Sequence, residues 1–100
     1  MRRQKDFPRF VKITPRISYS VKFKRGLENR GYMGLCFYDK KEIWISMGLS
    51  AKDRLSTFCH EVAHSVSHEY GLDLSHQTIY DLEGPLAFFL SRNTAWIHRT

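Results

Sequence analysis

His60, Glu61 and His64, within the run His60-Glu61-Val62-Ala63-His64, set two imidazoles four residues apart with a carboxylate beside the first. On an α-helix such residues lie one above the other, so both rings can reach one metal ion. Zinc held this way lowers the pKa of a bound water to about 7, and the neighbouring carboxylate can take its proton and pass it to a leaving amine. The run is the minimum apparatus of a metal-dependent peptidase, with His60 and His64 as ligands and Glu61 as general base. Three fixed positions are a weak motif, so the surrounding elements must support it.

A catalytic zinc needs a third protein ligand and an open position. His76, Asp81 and Glu83 follow the motif at usable distances; His68 does not, because two turns from His60 is about 12 Å of helical rise. A tight antiparallel hairpin turning near Leu72 and Asp73 puts Glu83 opposite Val62, midway between the histidines, and His76 opposite Glu69, past the site. Glu83 is thus the expected third ligand, with His76 the alternative and Asp81 behind both. Crossing angles between paired helices vary enough to bring His76 inward, and Pro85 disturbs the backbone near Glu83. Whichever of these does not bind metal can still act, since His76 or Tyr80 could hydrogen-bond an oxyanion.

The helix that carries the motif is well marked. Ser50 is its N-cap, Asp53 lies in its first turn, and Leu55, Phe58, Cys59, Val62 and Val66 recur as one apolar stripe until Gly71 stops it. His60 and His64 fall well round from that stripe, which frees them from the core. Ser75 caps a second helix with Ile79, Leu82, Leu86 and Phe89 inward, and Gly84-Pro85 predicts a kink or break. Residues 92–100 form a tail without an assigned element.

Upstream, Ile17, Tyr19, Val21 and Phe23 alternate with polar residues as a half-buried strand. Met33, Leu35 and Phe37 alternate with Gly34, Cys36 and Tyr38. A short Asp39-Lys40-Lys41 connection leads to a third strand at 42–47, with Ile43, Ile45 and Met47 on its inner face, and implies an antiparallel hairpin. Residues 1–15, with Pro8 and Pro15, read as an extended arm. The expected fold is α+β, an antiparallel sheet of about three strands followed by two packed helices, with domain bounds of 16–91.

Composition sets the class. One hundred residues, 42% hydrophobic and 26% charged, make one globular domain. No apolar run approaches the ~18 residues of a membrane span, and the basic N-terminus has no apolar stretch behind it, so a cytoplasmic protein without a membrane partner is expected. Cys36 and Cys59 are too few for a disulfide framework and lack the spacing of a zinc site. The net charge of +6 is concentrated in residues 1–30, which carry ten Lys or Arg against Asp6 and Glu28. Such a segment could follow the phosphates of a nucleic acid, although a solvated strand face is the commoner meaning of a charge run.

A strand at 42–47, a short link, the helix segment Thr57-Phe58-Cys59-His60-Glu61-Val62-Ala63-His64 and a later Leu82-Glu83-Gly84-Pro85-Leu86-Ala87 resemble the ImmA/IrrE-like metallopeptidase domain and, more loosely, the SprT-like zincins. The resemblance covers about half the chain. It implies zinc on His60 and His64, Glu61 as general base, and in the ImmA/IrrE-like case Glu83 as third ligand; the SprT-like case implies a histidine, hence His76. The stretch between His64 and Glu83 is shorter than is typical of ImmA/IrrE-like domains, and the Asn expected after Ala87 is missing. Ser67 and Tyr70 exclude the metzincin pattern. In size the chain resembles compact zincins encoded by phages and mobile elements. The resemblance implies an extended peptide or protein substrate, a regulatory protein among them, lying along an edge strand at 42–47. The alternative is a basic nucleic-acid- or protein-binding module in which zinc is structural or absent. A further alternative is a peptidase recruited by DNA through residues 1–30.

Overall fold

The computed structural model describes residues 7–99, with side chains through 94; Arg2, Arg3 and Lys5 of the expected arm, and Trp96 and Ile97 as side chains, lie outside the described residues. The elements are β1 (Phe10–Thr14), β2 (Ile17–Lys24), a 3-10 turn (Glu28–Arg30), β3 (Gly34–Phe37), β4 (Glu42–Ser46), α1 (Ala51–Tyr70) and α2 (His76–Arg99). The fold is α+β: one sheet followed by two helices.

The sheet has four strands in the order β1-β2-β4-β3. The additional strand comes from the segment expected to be an arm. Val11 packs on the core and Ile13 is buried, while Phe10 and Lys12 point the other way, an alternation that the flanking prolines obscure. The Thr14 hydroxyl accepts N–H bonds from Arg16 and Ile17 and so closes the turn around Pro15.

The second difference concerns β4. It lies inside the sheet, parallel to β2 and antiparallel to β3, so residues 42–47 are not an edge and the sheet is mixed. Burial explains the position: Ile43 and Ile45 have no exposed surface, and a strand so apolar is best flanked on both sides. Residues 25–33 therefore cross the end of β4 to reach the far edge. Leu27 is buried there, and the Ser46 hydroxyl donates to Glu28 at 2.6 Å. The free edge beside the helices is β3.

The helix α1 covers the inner face, where Phe58, Val62 and Val66 meet Tyr19, Val21, Ile43 and Ile45. Its ends are those expected: the Asp53 N–H donates to Ser50 Oγ at 3.2 Å, and Gly71 stops it at φ +64°. Near its C-terminus Glu69 accepts from Lys41 and from the Tyr19 hydroxyl, each at 2.6 Å, tying helix to sheet. On β3 the inner face is Gly34, Cys36 and Tyr38, whereas Phe37 packs outside against Trp44.

Ser75 caps α2 through the Thr78 N–H at 3.1 Å. The helix does not break at Pro85 and runs on through the stretch expected to be a tail. Pro85 and Asp81, whose carbonyl loses its donor, are both exposed, so water can satisfy that oxygen. Buried Ile79 and Ala87 hold the helix on either side of the proline. Among the described residues no helix is long and apolar enough to cross a membrane.

Gly34 fixes how closely β3 approaches α1. A Cβ there would stand 2.6 Å from Thr57 Cγ2, 3.0 Å from the Trp44 carbonyl oxygen and 3.1 Å from Glu61 Oε2. Gly34→Ala is expected to cost about 1–3 kcal/mol in chemical denaturation. Adding Thr57→Ser, which removes the nearest atom, should recover part of that loss.

The Lys41 ammonium, then the Tyr19 hydroxyl, hold the Glu69 carboxyl below its ordinary range. The stability this supplies is complete above the ordinary carboxylate pKa of about 4 and is lost as pH falls through the lowered native value. In thermal melts Glu69→Gln should be less stable than wild type at pH 7 and should lose less on acidification below about pH 4.

Candidate metal centre

The motif histidines project from α1 toward α2, one turn apart. His60 Nε2 and His64 Nε2 face each other at 3.1 Å. Behind His60, its Nδ1–H donates to Glu83 Oε1 at 2.7 Å. A carboxylate on Nδ1 fixes the tautomer that leaves Nε2 as a bare lone pair. Burial, reinforced by the rings of His60 and His76, lowers the pKa of His64 and keeps it neutral at pH 7. The Nε2–H of a neutral His64 can donate to the His60 lone pair, and a cation between the two nitrogens would take the place of this hydrogen bond.

His76, the first residue of α2, completes the group. One ring nitrogen from each of His60, His64 and His76 lies within 4.8 Å of the others. Nitrogens sharing a tetrahedral zinc at about 2.0–2.1 Å stand about 3.3 Å apart, so small ring rotations bring all three onto one ion. Three neutral imidazoles suit zinc and its first-row neighbours. The donor set therefore fits a metal ion of this class.

Glu83 thus bonds the far side of the His60 ring and is not one of the three converging groups. The hairpin register brings Glu83 to the motif as expected, at His60, whereas the link carries His76 away from its expected place opposite Glu69. Gly71 and Asp73 both adopt positive φ, the Leu72 N–H donates to the Ser67 carbonyl, and the Leu74 N–H donates to Ser67 Oγ at 2.9 Å. The chain therefore doubles back along α1 before α2 begins. His76 arrives beside His64 and not beside Glu69.

Glu61 lines the same cleft, a recess of about 330 Å³ bounded by β3 residues 34–36, Tyr32, Tyr38 and the three histidines. Its side chain is turned from solvent toward Gly34. Burial, then the charge of Glu83, pushes its carboxyl up to about 7. Such a group can take and return a proton near neutral pH.

The other candidates lie apart. Tyr80 is 58% exposed and outside the cleft lining, and exposed Asp81 accepts a bond from Gln77. Exposed His68 stacks on Tyr38 with ring centroids 4.1 Å apart. Burial, then the charge of Glu61, pushes the Cys36 thiol up to about 12, so it stays protonated and is a poor ligand. Cys59 is buried in the core. Sequence reasoning missed Tyr32 and Tyr38 as cleft residues. For Tyr38 the signal was its phase with the small Gly34 and Cys36, which marks the strand face that a helix approaches closely.

In comparisons with family models, curated proteins and solved structures, nothing matched this chain. The chemistry of the cleft must speak for itself.

Zinc titration of the apo protein separates the ligands. His60→Ala, His64→Ala and His76→Ala should each abolish stoichiometric binding, Glu83→Gln should weaken it about 10–100-fold, and Glu61→Gln should leave it intact. Retention of zinc by His76→Ala together with its loss in Glu83→Ala would restore Glu83 as the third ligand.

Proposed function

We propose that this chain is a zinc-dependent peptidase in which His60, His64 and His76 hold the metal and Glu61 is the general base. The observation that carries this is the buried Glu61 carboxylate in the same cleft as the three imidazoles. A structural zinc is closed by four protein ligands, and it has no use for a carboxylate with a raised pKa beside it. Among the described residues three imidazoles converge, and a zinc they held would keep a position free for water or substrate.

When bound, zinc polarises a substrate carbonyl and makes water acidic enough to attack at neutral pH. Glu61 accepts the proton as the water oxygen bonds to the peptide carbon, then delivers it to the nitrogen as the carbon–nitrogen bond breaks. Glu83 holds His60 in register throughout. An extended substrate can add to the free edge of β3, whose backbone groups on that side are unpaired with other strands. Tyr32 and Tyr38 are the hydroxyl donors that line the cleft and can support the oxyanion.

A histidine as third ligand supports the SprT-like side of the zincin resemblance over the ImmA/IrrE-like side. A protein substrate, such as a regulatory protein, fits a cleft that opens along a strand edge. A cytoplasmic setting agrees with two free thiols and no membrane-crossing helix among the described residues.

Cleavage of fluorescein-labelled casein and of a quenched peptide library by the zinc-loaded protein tests this. Wild type should cleave at defined sites, and Glu61→Gln should keep its zinc while losing at least about 1,000-fold in rate. Equal rates for the two proteins, or no cleavage anywhere in the library, would contradict the assignment.

A further inference from the structure

Among the described residues no helix covers the sheet face opposite the metal centre, and the residues of that face follow a pattern the cleft does not use. Because Tyr19, Val21, Ile43 and Ile45 face α1, their neighbours Ser20, Lys22, Glu42 and Trp44 face outward. Strand register then sets Phe10, Ser20, Glu42 and Phe37 in one row across all four strands, with Lys22, Trp44 and Leu35 in the next.

Aromatic rings and lysines interleave on this face. The Phe37 and Trp44 rings meet at 4.6 Å, Lys24 lies over Trp44 at 4.6 Å and Lys40 over Phe37 at 5.4 Å. At the β1 edge Phe10 is 66% exposed, with Lys12 two residues on along the same face. Glu42 is the one acidic residue among these outward strand positions. It accepts from both Lys22 and the Trp44 indole, which hold its carboxyl below the ordinary range.

We propose that this open face binds single-stranded nucleic acid, with bases stacking on Phe10 and on the Trp44–Phe37 pair while Lys12, Lys24 and Lys40 follow the phosphates. A sheet face with a ring at its β1 edge and a ring pair on β4 and β3 offers stacking partners to unstacked bases, and the excess of lysine matches a polyanion. An acidic protein would satisfy the lysines but has no need of the exposed Phe10 ring and the half-buried Trp44–Phe37 pair among them. Duplex hides its base faces, so it too would use the charges alone. The site is on the far side of the sheet from the metal centre and is independent of the peptidase assignment.

Fluorescence anisotropy of labelled 12-mer dT and U oligonucleotides with the zinc-loaded full chain tests the proposal. Binding should fall with salt at a log–log slope of about −2, as expected for three phosphate contacts. Phe10→Ala, a change at an exposed position, should weaken binding about tenfold with the slope unchanged. Lys24→Gln should reduce the slope by about 0.7. Circular dichroism and zinc content of both variants should match wild type, and His76→Ala should bind the oligonucleotides as wild type does. Preference between the two oligonucleotides distinguishes DNA from RNA as the ligand. No binding at 50 mM salt, binding indifferent to both substitutions, or equal affinity for duplex, heparin or an acidic peptide would overturn it.

Discussion

The cleft is organised around one interaction: two facing imidazole nitrogens that must share either a ring N–H hydrogen or a cation. His60 and His64 meet at 3.1 Å, and Glu83 commits the Nδ1 of His60, so the His60 Nε2 lone pair takes as its partner either the His64 Nε2–H or a cation. His76 brings a third ring to the same point. A proton can bridge two of these nitrogens, but a metal ion satisfies three.

The fold delivers that arrangement through two local devices. The link from Gly71 to Ser75 folds back onto Ser67, so α2 begins beside the motif and its first residue can join the cluster. Gly34 lets β3 come against α1 at Thr57 and Glu61, which turns the Glu61 carboxylate away from water and raises its pKa. The same approach leaves an edge strand along the mouth of the cleft. The convergence of the three imidazoles and the raised pKa of Glu61 therefore rest on backbone geometry more than on any added side chain.

Much of this was legible in the chain. Ser50, the apolar stripe from Leu55 to Val66 and Gly71 fix α1, because capping and periodicity are local signals. Alternation located β2, β3 and β4. What stayed hidden was non-local: period two shows which face of a strand is buried but not which strand is its neighbour, so β4 read as an edge. The strand at Phe10–Thr14 was masked by prolines that turn out to flank it. Pro85 read as a break because its intrinsic cost is visible in sequence, while the contacts of Ile79 and Ala87 that hold the helix together are not. Whether His76 stands beside the motif histidines turned on the path of five residues. A tight hairpin leaves His76 opposite Glu69; two positive-φ residues and the Ser67 hydroxyl bring it to the motif, where Glu83 also lies.

The central claim is a three-imidazole metal site with an open position, and zinc K-edge X-ray absorption on the zinc-loaded protein measures it directly. The predicted spectrum has three imidazole ligands and one further light atom at about 2.0–2.1 Å, with the outer-shell scattering of three rings. His76→Ala should lose one ring's share of that scattering or lose the metal. A first shell with two imidazoles and a protein carboxylate, or with sulfur at about 2.3 Å, would contradict the arrangement.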